Sequence, residues 1–317
     1  MAGAGPAGST LARLLCLKGR RVVLVDGGAR THGRLELVAP RTAGLFLAAG
    51  LTDVLDDPAV SRPCHGIRRT WDGVASENDF LAEPLGWGRT VDRTRLDAVL
   101  LRLAEREGAT IARGRVSAVA ALGGGVVVQL TGGRSIEGAF VADATGRAAA
   151  VSRRLGARRL FAERLVATRE SWPRMMEDRL FVEGSADDWR YSLFGPGGRA
   201  DAWRISRPSR LRRGPGLAVD ASPSRLDAFA GERWLAIGDA SVAFDPIASQ
   251  GLGHAMAGAM TAAGKLLGSC RMSGEDRDAF ALLNLQTWAT HRRDDVGRGH
   301  SSGTLSEASP ARASAVR

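Results

Sequence analysis

The first residues of the chain contain three glycines with the spacing of a phosphate-binding turn. Gly3, Gly5 and Gly8 form a G-x-G-x-x-G pattern, and a helix is predicted over Ala7–Leu17. In such a turn the first glycine permits a tight bend and the second lets the backbone approach a pyrophosphate. The third allows the helix to pack closely on a strand. Because the helix N-terminus also stabilises phosphate charge, the pattern predicts a dinucleotide site.

An aspartate follows the next predicted strand at the distance expected of a ribose ligand. The apolar run Arg21–Val25 is predicted to be a strand, and Asp26 follows it, 18 residues after Gly8. In dinucleotide-binding folds an acidic residue about 20 residues beyond the glycines binds a ribose 2′-hydroxyl. A glycine-rich turn without a ligand remains the alternative. Only Met1 and Ala2 precede the turn, so the strand that normally leads into it is expected to be missing.

Two further motifs place an aspartate at the end of a short apolar strand. Asp143–Arg147 (DATGR) follows a strand predicted over Phe140–Ala142, and Gly238 and Asp239 follow a strand predicted over Trp234–Ile237. An aspartate next to a glycine at a strand end can accept hydrogen bonds from a polyol such as a ribityl chain. Each motif alone is compatible with an ordinary turn, but their order along the chain favours one cofactor site.

The last of these motifs leads into a second helix that could face the same ligand. Asp245 and Pro246 are followed by a Gly/Ala-rich helix predicted over Gly251–Leu267. The positive end of that helix would face whatever precedes it. This arrangement suits an electron-accepting ring that becomes anionic on reduction. For Asp245 itself, capping the turn before Pro246 is the commoner role.

Composition excludes several classes of protein. The chain has 317 residues, 44% of them apolar, and it lacks the uninterrupted apolar run of about 18 residues that spans a membrane. Three cysteines are too few and too scattered for a disulfide framework or a zinc cluster. The start of the chain does not resemble a signal peptide, so a cytoplasmic location is expected. No metal ligands are predicted.

The net charge of +10 does not indicate nucleic acid binding. Only two of the 44 basic residues are lysines, Lys18 and Lys265, and the arginines are spread along the whole chain. Such a bias is typical of GC-rich coding sequence. No motif of a DNA- or RNA-binding fold accompanies it, so no nucleic acid partner is expected.

The spacing of apolar residues in the rest of the chain predicts a mixture of helices and strands. Helices are predicted over Leu35–Leu51 and Arg95–Glu107, and a hairpin over Val116–Ala121 and Val126–Leu130. The stretch from residue 160 to residue 219 alternates short apolar runs with turns, which indicates a separate sheet. Serine, glycine, alanine and arginine dominate from residue 297 onward, so a disordered tail is expected there.

Taken together, the chain resembles the superfamily of flavin-dependent monooxygenases and halogenases. The residues that carry the resemblance are GAGPAG (Gly3–Gly8), Asp26, Arg93 with Leu96 and Leu100, DATGR (Asp143–Arg147) and GDASVAFDPIASQGL (Gly238–Leu252). The resemblance implies an α/β fold, with a glutathione-reductase-type, Rossmann-like FAD-binding domain and a second, mostly β substrate domain. The corresponding division is 1–60, 90–159 and 218–270 for FAD, 61–89 and 160–217 for the substrate sheet, 271–296 for a C-terminal helical segment, and 297–317 for the tail.

The resemblance also implies roles for individual residues. Gly3, Gly5 and Gly8 would hold the FAD pyrophosphate, Asp26 the adenosine ribose, Arg93 the phosphate region, and Gly238 and Asp239 the ribityl chain or pyrophosphate. Pro246 would line the flavin ring, and Gly251 and Leu252 would offer backbone N–H groups near its pyrimidine edge. No catalytic side chain is predicted.

Within the superfamily the chain is most similar to LodB-like flavoproteins, which modify a tryptophan of a partner protein during cofactor maturation. The clues are DPIASQGL (Asp245–Leu252), the preceding run Ser222–Ala240 and the run Glu183–Arg199. The resemblance implies an FAD-dependent oxidoreductase that hydroxylates an electron-rich aromatic ring, in a small molecule or in a protein tryptophan. NAD(P)H or a separate flavin reductase would supply the electrons.

Three alternatives stay open. Flavin halogenases resemble the chain but carry the halogen on a lysine amine, and the corresponding stretch here contains Arg68, a poor nucleophile. The halogenase W-x-W-x-I-P signature is also absent, with only Gly86–Gly88 as a fragment. The second alternative is an FAD-dependent reductase of a hydrophobic small molecule. The third is a degenerate, non-catalytic flavoprotein, suggested by the missing first strand and by the Arg/Pro/Gly-rich run Arg204–Gly216.

Several other side chains have both a chemical and a structural interpretation. Trp71, Trp87, Trp189 and Trp203 could line a substrate face, although tryptophans more often pack in a core. His65 and His254 could transfer protons, and Cys64 next to His65 could be a reactive thiolate. No spacing of Ser, His and Asp indicates a triad.

Overall fold

The computed structural model describes residues 1–28, 33–122, 124–171, 177–185, 188–210 and 217–297. The helices of these residues are α1 (Pro6–Cys16), α2 (Pro40–Ala48), α3 (Thr52–Asp56), α4 (Arg93–Arg106), α5 (Gly251–Gly268) and α6 (Gly274–Gly297). The strands in the first half are β1 (Val23–Asp26), β2 (Leu35–Val38), β3 (Ser61–Cys64), β4 (Gly66–Trp71), β5 (Val74–Asp79), β6 (Gly88–Asp92), β7 (Thr110–Arg113), β8 (Val116–Leu122), β9 (Gly125–Leu130), β10 (Ser135–Gly138) and β11 (Val141–Asp143). Those in the second half are β12 (Arg159–Phe161), β13 (Val166–Arg169), β14 (Arg179–Gly184), β15 (Asp188–Phe194), β16 (Ala200–Ser206), β17 (Ala218–Asp220), β18 (Ser224–Leu226), β19 (Ala230–Gly231), β20 (Trp234–Ala236) and β21 (Val242–Ala243).

A mostly parallel sheet forms the centre of the first layer. Strands β7 and β1 run parallel, as do β11 and β20, and β19 pairs antiparallel with β20. Ala2 joins the two halves, because it bridges in parallel to Val25 on one side and to Asp143 on the other. Met1 and Ala2 therefore occupy the place of the first strand that the sequence was expected to lack.

Helices α1 and α5 pack against each other beside this sheet, and α4 packs against α1. Pro6 occupies the first turn of α1, where its missing N–H has no partner to lose. Leu11, Ala12 and Leu15 then form the buried face of that helix. Full burial of a leucine such as Leu11 contributes about 2 kcal/mol, so this face fixes α1 on the sheet.

The helix predicted over Leu35–Leu51 is wrong at its start. Leu35–Val38 forms β2, which pairs antiparallel with β6, and α2 begins only at Pro40. A residue that precedes proline is disfavoured in the helical conformation, so a helix cannot run through Ala39 into Pro40 without strain. The consequence is functional, because Leu35, Glu36 and Leu37 of β2 all line the main cleft.

Other predicted elements lie close to their observed positions. Helix α4 begins at Arg93, and its N-cap Asp92 accepts hydrogen bonds from the backbone N–H groups of Thr94 and Arg95. The predicted hairpin is observed as β8 and β9. The strand predicted over Phe140–Ala142 is displaced by one residue, to β11.

The second layer is a seven-stranded sheet built from two separate parts of the chain. Its strand order is β17-β13-β16-β15-β14-β4-β5, with β14 and β4 parallel and the other pairs antiparallel. Its apolar cluster includes Leu180, Val182, Trp189, Leu193 and Trp203. The division into domains stays a prediction. Strand β3 pairs with β6, which crosses the predicted boundary between residues 89 and 90.

The C-terminal part of the described chain is helical. Helix α6 ends at Gly297, so residues 298–317 of the predicted disordered tail lie outside the described residues, as do residues 211–216 of the Arg/Pro/Gly-rich run. Within the described ranges, no helix has both the length and the apolar character required to cross a bilayer.

Candidate functional site

A large cleft lies between the parallel sheet and the seven-stranded sheet. Its volume is about 1890 Å³, and it extends from the glycine turn to the apolar face of the second layer. Eight of the ten predicted site residues line it: Gly3, Gly5, Asp26, Arg93, Asp239, Pro246, Gly251 and Leu252. The other two, Gly8 and Gly238, are buried and do not line the cleft.

The glycine turn is shaped by the lack of side chains. Gly3 has φ +102°, and a Cβ there would overlap the carbonyl oxygen of Ala144. A Cβ at Gly8 would overlap the carbonyl oxygen of Gly3. Gly5 differs, because a Cβ at that position would point into open space. Gly3 and Gly8 are therefore required for packing, whereas Gly5 keeps the cleft side of the turn open to a ligand.

Two helices direct their N-termini into the cleft. Helix α1 starts after Gly5 and helix α5 after Gln250, and neither has a side-chain cap. The first-turn N–H groups of a helix have no partner within the helix. Gly251 and Leu252 of α5 line the cleft together with Pro246, whose turn is capped by Asp245 through the backbone N–H of Ile247 at 3.0 Å. The cleft therefore offers two positive helix ends to an anionic ligand.

The two predicted acidic ligands are in different environments. The Asp26 carboxylate accepts a hydrogen bond from the Gly28 N–H at 2.9 Å and pairs with Arg113. The Asp239 side chain is 38% exposed, and its nearest cation is Arg147 at 3.8 Å. Gly238, at φ +57°, lies behind it, where a Cβ would be 3.1 Å from the Cβ of Ala7. Asp239 therefore has more unused hydrogen-bonding capacity than Asp26.

Arg93 belongs to a network of four charged side chains on the cleft wall. Its guanidinium contacts Glu36 at 2.7 Å and Asp97 at 3.0 Å, and Arg34 also pairs with Glu36. Burial raises the pKa of Glu36, but Arg34 and Arg93 outweigh that effect and lower it to about 2. Burial lowers the pKa of Arg93, but Glu36 and Asp97 outweigh it and raise that pKa. Arg34, Glu36 and Arg93 are therefore charged at neutral pH, whereas burial raises the pKa of Asp97.

Aromatic side chains form the floor of the cleft on the second sheet. Tyr191 and Trp203 are direct neighbours across β15 and β16, and both line the cleft. Trp203 is 1% exposed, and its indole N–H donates to Asp201 at 2.8 Å. Burial raises the pKa of Tyr191, so its hydroxyl stays protonated and can donate a hydrogen bond at neutral pH.

The other predicted tryptophans do not reach the cleft. Trp189 is buried in the core of the second sheet, and Trp71 packs against the same core. Trp87 is exposed and packs edge-on against His65, with 4.2 Å between ring centroids. Of the four tryptophans only Trp203 lines the cleft, and its contact with a substrate stays a prediction.

The predicted proton-transfer and thiolate candidates also lie outside the cleft. His254 lies beside a smaller cavity of about 270 Å³ behind α5, with its Nε2 3.1 Å from the Ser241 hydroxyl. Burial lowers the pKa of His254 to about 4. Burial also raises the pKa of Cys64, which argues against a reactive thiolate. No cluster of three His, Cys, Asp or Glu side chains suited to a metal ion occurs in the part of the chain that the structure describes.

The DATGR motif has a structural role that its sequence did not reveal. Asp143 is fully buried and accepts hydrogen bonds from Thr145, Val151 and Ser152. Its carboxylate therefore holds the turn whose Ala144 carbonyl faces Gly3. Glu36, Asp97 and Tyr191 also line the cleft and were not predicted from the sequence. Of these, Glu36 could have been recognised from the sequence, because it is a single charged residue between the apolar residues Leu35 and Leu37.

Comparison with known proteins agrees with this geometry. A family model described as an FAD binding domain matches residues 1–186. No curated protein matches the chain. Similar solved structures include the peptidyl tryptophan dihydroxylase QhpG, which is essential for tryptophylquinone cofactor biogenesis, at 22% identity and a TM-score of 0.74. That match covers 94% of this chain and 74% of QhpG.

Two further solved structures have the same fold. The flavin-dependent halogenase Xcc4156 from Xanthomonas campestris is 17% identical, with a TM-score of 0.77 and coverage of 93% of this chain and 75% of that one. PqsL of P. aeruginosa, in complex with 2-aminobenzoylacetate, is 20% identical, with a TM-score of 0.72 and coverage of 92% of each chain. At these identities the similarity concerns the fold, and the predicted α/β fold with an FAD-binding domain is confirmed.

Proposed function

The chain belongs to the FAD-binding-domain family and is an FAD-dependent oxidoreductase, and from that premise we propose that it is a monooxygenase that hydroxylates an electron-rich aromatic ring. The observation that carries the proposal is the continuity of the cleft. One cavity joins the glycine turn at Gly5 and the α5 N-terminus at Gly251 to the aromatic floor at Tyr191 and Trp203. The cofactor and the substrate would therefore lie in the same cavity and could come into direct contact.

The residues present fit FAD. The open position at Gly5 and the uncapped start of α1 suit the pyrophosphate, and Asp26 at the end of β1 suits the adenosine ribose. The Asp239 carboxylate, 38% exposed and 3.8 Å from Arg147, can accept hydrogen bonds from hydroxyl groups of the ribityl chain. Gly251 and Leu252 offer backbone N–H groups that stabilise negative charge at the ring. When bound, FAD supplies the redox chemistry with dioxygen, which protein side chains cannot perform.

The second sheet supplies orientation and the exclusion of water. Leu180, Val182 and Leu193 line the cleft beside Tyr191 and Trp203, so an aromatic ring there would be surrounded by apolar side chains. Tyr191 keeps its proton at neutral pH and can donate a hydrogen bond to a polar group of the substrate. A hydroxylation of this kind requires no nucleophilic side chain, which agrees with the lack of a predicted catalytic residue.

Halogenation is less well supported. The resemblance to halogenases requires a lysine amine near the substrate, and the chain has only Lys18 and Lys265. Neither lines the cleft, and Lys265 pairs with Asp276 at 2.6 Å. Arg68 does not line it either, because its side chain pairs with Glu77 and Glu177. The reductase and non-catalytic alternatives are distinguished from the proposal by experiment.

The proposal extends to the class of substrate and to the electron donor. A tryptophan in a partner protein is favoured by the fold shared with a peptidyl tryptophan dihydroxylase. A small aromatic molecule would occupy the same floor. NAD(P)H used directly, or reduced flavin from a separate reductase, would supply the electrons.

The test combines cofactor release with isotope incorporation. The purified protein should show flavin absorption, and heat treatment should release FAD in about equimolar amount. Incubation under ¹⁸O₂ with a tryptophan-containing peptide, with either NAD(P)H or a reductase and free flavin, should add ¹⁸O to the peptide in mass spectrometry. Reductant consumption without oxygen in any aromatic product would favour the reductase, and bound flavin without reductant consumption would favour the non-catalytic flavoprotein.

A further inference from the structure

One edge of the cleft carries more positive charge than the phosphate groups of the cofactor require. Residues 147–164, here named the basic rim, contain six arginines and a single acidic residue, Glu163. The arginines are Arg147, Arg153, Arg154, Arg158, Arg159 and Arg164, and all six line the cleft. The rim follows directly on the DATGR turn and continues through β12.

Two of these arginines hold the fold together. The Arg159 guanidinium donates to the backbone carbonyls of Asp239 and Ala240 at 2.9 and 2.7 Å. Arg147 donates to the carbonyls of Phe244 and Ser222. These two arginines are therefore occupied, and the binding capacity of the rim must come from the remaining four.

The remaining arginines are exposed, and most of their charge is not neutralised. Arg158 pairs with Asp227 at 2.8 Å, whereas Arg154 donates to two neutral backbone carbonyls. Arg164 lies over the ring of Phe161, 3.5 Å from its centroid. Within the described residues, neither Arg153 nor Arg164 has a carboxylate partner. Three positive charges therefore face solvent at the mouth of the cleft.

The rim also has a surface suited to an extended chain. Strand β12 is at the edge of its three-stranded sheet, which has the order β12-β18-β21. Leu160 and Phe161 in this strand are 40% and 38% exposed. Edge strands can pair with an added peptide strand, while neighbouring pockets accept its side chains. The rim therefore combines an open edge, apolar contacts and uncompensated positive charge.

We propose that the basic rim binds an acidic, extended peptide segment of the protein whose aromatic residue enters the cleft. This inference rests on the proposed function, because it names the class of substrate for the same site. The chain's own residues 298–317 do not suit the role, since they contain three arginines and one glutamate. An acidic segment from another protein has the complementary charge, which raises the association rate and fixes the register.

The test measures binding without turnover, on the FAD-loaded full chain. The probe is a fluorescein-labelled twelve-residue peptide with one central tryptophan and six glutamates, compared with the same peptide carrying glutamines. Fluorescence anisotropy should show the acidic peptide binding at least tenfold more tightly at about 50 mM salt. That difference should shrink at about 300 mM salt, where exposed charges are screened.

Matched variants locate the site. Arg153→Gln with Arg164→Gln should weaken the acidic peptide about three- to tenfold. Arg102→Gln with Arg106→Gln removes the same charge from the exposed face of α4, outside the cleft, and should leave the affinity unchanged. Flavin absorbance should be equal in both double variants, so a loss of binding would be separable from a loss of cofactor.

Other outcomes overturn the proposal. Equal weakening by the two double variants would mean that the peptide binds by net charge alone. Displacement of the peptide by NADPH, with NADPH binding lost in the rim variant, would assign the rim to a dinucleotide. A charge reversal, Arg153→Glu with Arg164→Glu, should transfer the preference to a lysine peptide, and failure to do so in a folded, flavin-loaded variant would also count against the rim. Because no hydroxylated product is measured, failure of the proposed reaction would not affect these results.

Discussion

Arg93 and Glu36 form an ion pair on the cleft wall, with 2.7 Å between Nη1 and Oε1, and Asp97 completes the contacts of the same guanidinium. Arg93 was expected to reach the phosphate region of FAD, and it does line the cleft. Its side chain is, however, fully engaged by two carboxylates that are themselves largely buried. The structure therefore supports at least a positioning role, and the contact with phosphate stays a prediction.

Arg93→Met separates these roles. The variant leaves Asp97 without its cation and Glu36 with only Arg34, and loss of one partner from a buried ion pair costs about 3 kcal/mol or more. Urea unfolding should show that loss in the free energy of unfolding. Adding Asp97→Asn should recover part of it, because that change removes the carboxylate left without a partner, whereas Glu36 keeps Arg34. Unchanged stability together with much weaker FAD binding would instead indicate that Arg93 acts mainly on the phosphate.

The glycine turn predicts opposite effects for two similar substitutions. Gly8→Ala forces a Cβ into the Gly3 carbonyl, so it should distort the turn and lower both the melting temperature and FAD retention. Gly5→Ala adds a methyl group in open space, and its cost to the apo-protein should be about 1 kcal/mol or less. That methyl group faces the phosphate site, so FAD affinity should fall at least tenfold. Calorimetry and FAD titration measure the two effects, and normal FAD binding by Gly5→Ala would move the pyrophosphate elsewhere.

Asp239→Ala should weaken FAD binding more than Asp26→Ala. The side chain of Asp239 is 38% exposed, against 15% for Asp26. Asp26 is already occupied by Arg113 and Gly28, whereas Asp239 is 3.8 Å from Arg147. A hydrogen bond from a ligand to a charged group contributes about 1.5–3 kcal/mol, or roughly tenfold to a hundredfold in affinity. FAD titration of the two apo-variants measures the order, and the reverse order would count against the assignment of Asp239.

The pH dependence of stability should include a contribution from His254. Burial lowers its pKa in the folded protein to about 4, below the ordinary value of 6.5. Between these values the unfolded chain binds a proton that the folded chain does not, so the free energy of unfolding falls as the pH falls from 6.5 to 4. The loss amounts to about 3 kcal/mol at most. Glu36 contributes only below its own ordinary pKa of 4.5.

His254→Gln should remove this slope. Urea unfolding of the variant and of the wild-type protein at pH 7 and at pH 5 gives the comparison, and only the difference between the two pH values matters. The variant should lose less stability than the wild-type protein on acidification. Identical losses would mean that His254 titrates normally in the folded protein.

Local features of the sequence predicted the first layer well. The glycine turn, α1, β1 and the strand before Gly238 depend on patterns within about ten residues, and each lies near its predicted position. The prediction of one helix over Leu35–Leu51 was wrong because it ignored Pro40, which disfavours the helical conformation at Ala39. The second layer was harder to predict, because its sheet joins strands that lie far apart in the sequence. Strand β4 pairs with β14, so that Gly66 lies opposite Arg179, and no local pattern indicates a pairing between such distant residues.

The same distinction holds for the site. Asp239 and Gly251 were found because backbone geometry at a strand end or a helix start leaves a signature in the residue types. Tyr191 was missed because its place on the cleft floor depends on the pairing of β15 and β16. Glu36 was missed because its cations, Arg34 and Arg93, lie on different elements of the chain.

Arg68 provides the sharpest test of hydroxylation against halogenation. The sequence placed it in the region where halogenases carry their lysine, so Arg68→Lys restores an amine of the required type. In the structure Arg68 is on the opposite face of β4 from the cleft. Its cross-strand neighbour is Phe181, whereas the flanking Leu180 and Val182 line the cleft. The new amine would therefore point away from the substrate, towards Glu77 and Glu177.

We expect no halogenated product from either the wild-type protein or Arg68→Lys. The reaction contains bromide, a flavin reductase with its reductant, and the acidic tryptophan peptide, and mass spectrometry compares both proteins with an enzyme-free control. Val182→Lys is the informative third variant, because residue 182 lines the cleft and an amine there could meet a reactive halogen species. Bromine isotope peaks above the control in the wild-type reaction would overturn the hydroxylase assignment, since they would show halogenation without any lysine in the cleft.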